Sequence, residues 1–146
     1  MSLPDWHKFG WITTHQTSAT EIRDLLGVLD RDLKDSAVED ISADARLGMA
    51  YNATLKAATI ALAAAGYRAS RDQHHYRVLQ SLCQTIGATA KEVARLDAFR
   101  KKRNMADYDR AGAASEHEVN ELRAIAFDLR QRVVAWVRSK DATLLP

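Results

Sequence analysis

From Ser18 onward, apolar positions recur at spacings of three and four, the period of an amphipathic helix. Ser18 followed by Glu21 forms a capping-box pattern. Ile22, Leu25, Leu26, Leu29 and Leu33 then mark one face of a helix that fades near Ser36. A second helix begins after Ser42 or Asp44, with Leu47, Tyr51, Leu55, Ala58, Leu62 and Ala65 on one face. Ala50, Ala53, Ala57, Ala61 and Ala64 widen that face, so this helix is expected at the centre of the packing, with Gly66 as its C-cap. Asp72 is placed to cap a third helix carrying Tyr76, Leu79, Leu82, Cys83 and Ile86, ended by Gly87. A fourth starts near Thr89 and bears Val93, Leu96 and Phe99. Ser115 and Glu118 form another capping box, opening a last helix with Val119, Leu122, Ala126, Leu129, Val133 and Trp136 inward.

No strand-like alternation bounded by turn pairs stands out. Short polar breaks join the helices, which predicts an all-α fold, an antiparallel four- to five-helix up-and-down bundle over residues 1–146 as one domain. Residues 1–16 form an N-terminal arm with an aromatic cluster, Trp6, Phe9 and Trp11. Such residues favour packing onto the bundle; a partner-binding or dimer-swapped arm is the other reading.

Composition adds limits. Apolar residues are 47% and charged residues 27% of 146, ordinary for a folded domain. Both prolines, Pro4 and Pro146, lie at the ends, leaving the interior without the strongest helix breaker. A net charge of +2 is too small to hold nucleic acid by a global field, so such binding needs a local basic patch. The single cysteine, Cys83, forms no disulfide within the chain and reads as a small buried hydrophobe. Asp5, Trp6 and His7 interrupt the start of the chain, so no signal peptide is expected there. The run Ala57–Ala65 is too short to span a bilayer. The expected location is the cytoplasm, with no membrane partner.

Motif chemistry is mostly missing. No Glu-x-x-His, His-Glu-x-x-His or Cys pair is present, so no metal or cofactor is expected. His74 and His75 are adjacent, point to different faces of a helix start, and are poorly placed to share one metal. No Gly-rich phosphate loop and no Gly-x-Ser-x-Gly elbow occurs. What remains is the segment from Arg100 to Asp109, with Arg100, Lys101, Lys102 and Arg103 in a row. In a continuous helix, Arg103 shares a face with Asp107, and Asn104 with Tyr108. Arg suits phosphate, while Asn and Tyr offer hydrogen bonds and stacking on a base. The plainer reading is an Arg103–Asp107 surface pair with Tyr108 as a core aromatic.

Four features resemble a HEPN domain, the small helical fold of prokaryotic toxin–antitoxin and defence systems. They are the opening helix with Leu25, Leu26, Asp30 and Leu33; the long helix from Ala50-Tyr51-Asn52 to Gly66-Tyr67-Arg68; the start His74-His75-Tyr76; and Arg103-Asn104 followed by Asp107-Tyr108. Together they run from about Thr20 to Trp136. The resemblance implies a dimer in which the family's Arg and His motif residues from two subunits meet, and, in catalytic members, metal-independent ribonuclease activity. By the same resemblance Arg103 matches the motif Arg, Asn104 the polar residue after it, and Tyr108 the His. No His lies between Arg103 and Asp109, and the next is His117. Tyr, with a pKa of about 10, is a poor general base at neutral pH.

The resulting expectation is a non-catalytic, homodimeric RNA-, nucleotide- or protein-binding module. Arg100, Lys101, Lys102, Asn104 and Asp107 would provide its binding face, with a neighbour-encoded nucleotidyltransferase antitoxin as a possible partner. The alternative is an active ribonuclease toxin with Arg103 and Tyr108 as catalytic residues, or with His74, His75 or His117 in place of Tyr108.

Overall fold

The computed structural model describes residues 1–71 and 74–145. It is an all-α bundle, as the periodicity predicts, with six α-helices and one small sheet among the described residues. The expected cap at Asp72 lies outside the described residues.

The bundle is organised around α3 (Ala43–Ala64). Its face is not a stripe: Leu47, Tyr51, Leu55, Leu62, Ile60 and the alanines between them are buried on nearly every side. A helix apolar all round belongs in the interior, and alanine lets neighbouring helices approach closely. α2 (Ala19–Asp35) and α6 (Glu116–Lys140) pack along it, and α4 (His74–Gln80) and α5 (Ala90–Asn104) cover its remaining surface. Helix starts follow the sequence signals. Ser18, Ser42, Thr89 and Ser115 each accept a hydrogen bond from the backbone N–H three residues on. Of these four, only Thr89 and Ser115 complete the box, their backbone N–H groups donating to the carboxylates of Glu92 and Glu118. Glu21 is drawn away instead, to His15 and Thr17.

Three expectations change. First, Ile12–Thr14 (β1) and Tyr67–Ala69 (β2) pair antiparallel, with Thr13 opposite Arg68. Three residues are too few to show alternation, and the pairing is non-local. Gly66, at φ +97°, turns the chain out of α3 directly into β2. Second, the third helix ends at Gln80 and tightens into a 3₁₀ turn, Ser81–Cys83. Val78, Leu79 and Leu82 are buried, whereas Tyr76, within α4, and Cys83, at the end of the 3₁₀ turn, are exposed. Cys83 is therefore not the buried hydrophobe expected. Third, a short helix α1 (Leu3–Lys8) precedes the bundle and buries Trp6. The arm packs on its own chain: Trp6 meets Trp11 edge-on at 5.9 Å, and the Arg77 guanidinium lies 3.6 Å from the Trp11 ring centre.

One polar knot fixes the end of the bundle that carries the basic segment. Arg46, buried in α3, donates from Nε to the Ser36 carbonyl at 2.8 Å and from Nη1 to Glu116 at 2.6 Å. The Ser36 hydroxyl accepts from Arg123 Nε at 2.9 Å, which ties α2, α3 and α6 together. Asp44 accepts from the backbone N–H groups of Gly112 (2.6 Å) and Ala114 (2.9 Å), and these bonds hold its carboxyl below the usual range. The loop after the basic segment is thereby anchored to the first turn of α3.

Replacing Arg46 by Leu keeps the apolar stem and leaves the buried Ser36 carbonyl without its donor. The expected loss is about 1–3 kcal/mol of unfolding free energy, measured by urea denaturation; a variant as stable as the wild type would contradict this role.

Candidate functional site

α5 does not continue as an α-helix through the basic segment. After Asn104 the chain widens into a π turn, Met105–Asp109, in which the Arg110 N–H donates to the Met105 carbonyl at 3.1 Å. Such a turn inserts an extra residue into the helical period, and π turns concentrate at functional sites. The consequence is immediate for the expected face. Asn104 and Tyr108 are no longer one α-turn apart, and Tyr108 projects into solvent at 78% exposure. It is not the core aromatic of the plainer reading.

The four cations of the segment are each paired within the chain. Arg100 Nε donates to Asp97 at 2.7 Å, and Lys101 Nζ lies 3.5 Å from the same carboxylate. Lys102 Nζ reaches Glu118 on α6 at 3.4 Å. Arg103 Nε lies 3.0 Å from Asp107 Oδ2. The basic run is thus largely neutralised locally, which explains why four adjacent cations are tolerated at one helix end.

Arg103 differs from the other three. Its side chain is only 20% exposed, and its guanidinium carbon sits 5.5 Å from the Tyr51 ring centre. Although Asp107 is close, the buried Nε–H makes no aligned hydrogen bond, and Nη1 has only a long contact to Asn104 Oδ1 at 3.4 Å. Arg103 is held in place by stacking and charge while part of its donor fork stays unused.

Tyr51 carries the site further. Its ring is fully buried in α3, and its hydroxyl lies 3.3 Å from His75 Nδ1. Burial pushes the phenol up to about 12, so it stays protonated. The His75 ring is 5.9 Å from Tyr51 and the His74 ring is 5.2 Å from His75. Burial, followed by the charges of His74, Arg103, Arg100 and Lys56, holds the His75 pKa below its ordinary value. The cluster Arg103–Tyr51–His75 therefore spans α5, α3 and α4, with a cation, a protonated phenol and a neutral imidazole in sequence.

The chain matches no family model, no curated protein and no solved structure.

Of the residues singled out from sequence, Arg100, Arg103, Asn104 and Asp107 come together at this end of α5, with Arg103 at the centre. Lys101 lies on the solvent side, Lys102 is turned to α6, and Tyr108 points away. His117 stands exposed on the first turn of α6, where it acts on Glu121. Tyr51 and His75 are the members that the spacing did not select. Their signal was chemical: a Tyr on an otherwise aliphatic face needs a partner for its hydroxyl. Among the described residues, no cluster of three or more His, Cys, Asp or Glu is arranged to hold a metal, and no helix is long and apolar enough to cross a membrane.

Burial makes protonation of His75 oppose the folded state. Below about pH 6.5 the unfolded chain takes up a proton at His75 that the native state resists, so native stability falls as pH drops through that value. Between about pH 7.5 and about pH 5.5 the wild type should lose more unfolding free energy than His75→Asn does. Equal losses would contradict the assignment.

Proposed function

We propose that this protein is a HEPN-like helical module that binds a phosphate group of RNA or of a nucleotide at the Arg103 end of α5, as a homodimer of the toxin–antitoxin or defence type. The observation that carries this reading is the Arg103 guanidinium, shielded on the Tyr51 ring and holding at Nη1 only a long contact to Asn104 at 3.4 Å. A partly buried Arg with spare terminal donors is pre-organised for a phosphate oxygen. The π turn leaves Tyr108 exposed on the same segment, pointing away from Arg103, where its ring is free to stack on a base. A neighbour-encoded nucleotidyltransferase would be the antitoxin of such a pair. Binding of a single-stranded RNA oligonucleotide, measured by fluorescence anisotropy, should weaken about tenfold in Arg103→Ala, with the salt slope reduced by about one. Wild-type affinity in that variant would overturn the reading.

A second reading has its own support. His75 meets the Tyr51 hydroxyl beside Arg103, which supplies a His that the segment 103–109 lacks. With Nδ1–H donating to the phenol oxygen, Nε2 carries the lone pair of a general base, and the low pKa keeps it neutral at pH 7. Arg103 would stabilise charge developing on the phosphate. On this reading the protein cleaves RNA in EDTA, His75→Ala and Arg103→Ala lose cleavage by about a hundredfold or more, and Tyr108→Phe retains it. Cleavage that survives His75→Ala would rule out His75 as the base.

A further inference from the structure

A different cationic site lies on the face formed by the small sheet. Arg68 and Arg71 form no ion pair among the described residues, unlike the four cations of the 100–103 run. The register of the two strands places Thr13 opposite Arg68, so both side chains share one face of the ribbon. Residue alternation along β2 sends Arg68 outward while Tyr67 and Ala69 turn towards the core. Arg71 follows two residues after the strand, and His74 opens α4 on the same side. These residues, with Ser70, line a cleft of about 470 Å³. The Ser70 hydroxyl donates to the Gly10 carbonyl at 2.7 Å and so pins the strand end to the N-terminal turn.

A second cleft, of about 240 Å³, adjoins it, and Arg68, Ala69 and His74 belong to the walls of both. This inner lobe has another character. Leu25, Leu62, Ala63 and Val78 make it apolar, and His15 and Glu21 supply its polar wall. The two polar groups are pre-organised. Glu21 Oε1 accepts from the Thr17 hydroxyl at 2.7 Å and lies 2.7 Å from His15 Nε2. Those contacts, with the charge of Arg68 behind them, hold the Glu21 carboxyl below the usual range. An ionised Glu21 makes Nε2 the donor of this pair, and both side chains line the lobe. The paired clefts together fall in the size range of small-molecule sites, roughly 300–1,000 Å³.

An apolar slot with one fixed carboxylate and one imidazole accepts a flat heterocycle that carries N–H groups. A cleft bearing two exposed arginines with no ion pair among the described residues, and with a His and a Thr hydroxyl, accepts a phosphate dianion. We propose that the joined clefts at Arg68 bind a mononucleotide, with its phosphate on Arg68 and Arg71 and its base in the lobe formed by Leu25, Leu62, His15 and Glu21. The site shares no residue with the Arg103–Tyr51–His75 cluster, which it adjoins through His74, and it is tested separately from the RNA-binding and cleavage readings. Arg68 lies where α3 has just turned into β2, so its position is set by Gly66 and the strand pairing rather than by a flexible loop.

Isothermal titration calorimetry on the full chain tests this with adenosine 5′-monophosphate as the probe and inorganic phosphate as the comparison. The nucleotide should bind, phosphate alone should bind at least about tenfold more weakly, and Arg68→Gln should weaken the nucleotide by about tenfold. Arg71→Gln should weaken it in the same direction, and Arg138→Gln, on the exposed face of α6, should leave it unchanged. Arg68 and Arg71 are solvent-facing, and circular dichroism melts are the check that both variants fold. No heat with the nucleotide, equal affinity for phosphate alone, or wild-type affinity in Arg68→Gln would each overturn the proposal. Titrating the RNA oligonucleotide into the same samples keeps the two sites apart: loss of RNA binding with nucleotide binding intact bears only on Arg103.

Discussion

Burial of α3 on all its sides is the constraint from which the other features of the fold follow. A 22-residue helix whose apolar residues and alanines wrap its whole circumference has to be enclosed by neighbours. α2 and α6 take its long faces, α4 and α5 the rest, and α1 with the two-stranded ribbon closes the remaining corner. The few polar side chains on α3 then acquire specific duties, because a buried polar group must find a partner. Arg46 holds the Ser36 carbonyl and Glu116, Thr54 donates back to the Tyr51 carbonyl at 2.7 Å, and Tyr51 reaches His75.

The candidate site grows out of the same enclosure. Tyr51 is a core residue by burial and a site residue by its hydroxyl, so the Arg103–Tyr51–His75 cluster is anchored on the buried central helix. Arg103 gains its unusual state from that neighbour. The ring shields it from water, the π turn sets its companion Asp107 off the line of its Nε–H, and the Asp44 anchor on the following loop limits how far the segment can relax. By contrast Lys101, on the same short run, is merely a solvated charge near Asp97. Adjacent cations in one sequence can therefore have very different chemistry, depending on which of them the core supports.

Much of the fold was legible in the chain. The caps at Ser18, Ser42, Thr89 and Ser115, the stop at Gly66, and the central place of the alanine-rich helix all follow from local rules. The third helix was legible only to Gln80, because a switch from α to 3₁₀ winding leaves no mark in apolar spacing and turns Cys83 outward. The strands were invisible for a different reason. Three-residue segments more than fifty positions apart carry no periodic signal, and their pairing exists only once α2 and α3 have brought them together.

Of the site, the sequence by itself singled out Arg103, Asn104 and Asp107 as neighbours, since residues within one turn stay close whatever the winding. It also determined which residue types were at hand: cations in one run, and no His within reach along the chain. Tertiary structure decided everything that depends on rotation about a helix axis or on contact between helices. The π turn moved Tyr108 away from Asn104, packing of α5 on α6 paired Lys102 with Glu118, and helix packing set Tyr51 between Arg103 and His75. Those outcomes are set by cross-chain distances, which no local pattern of hydrophobic and polar positions encodes.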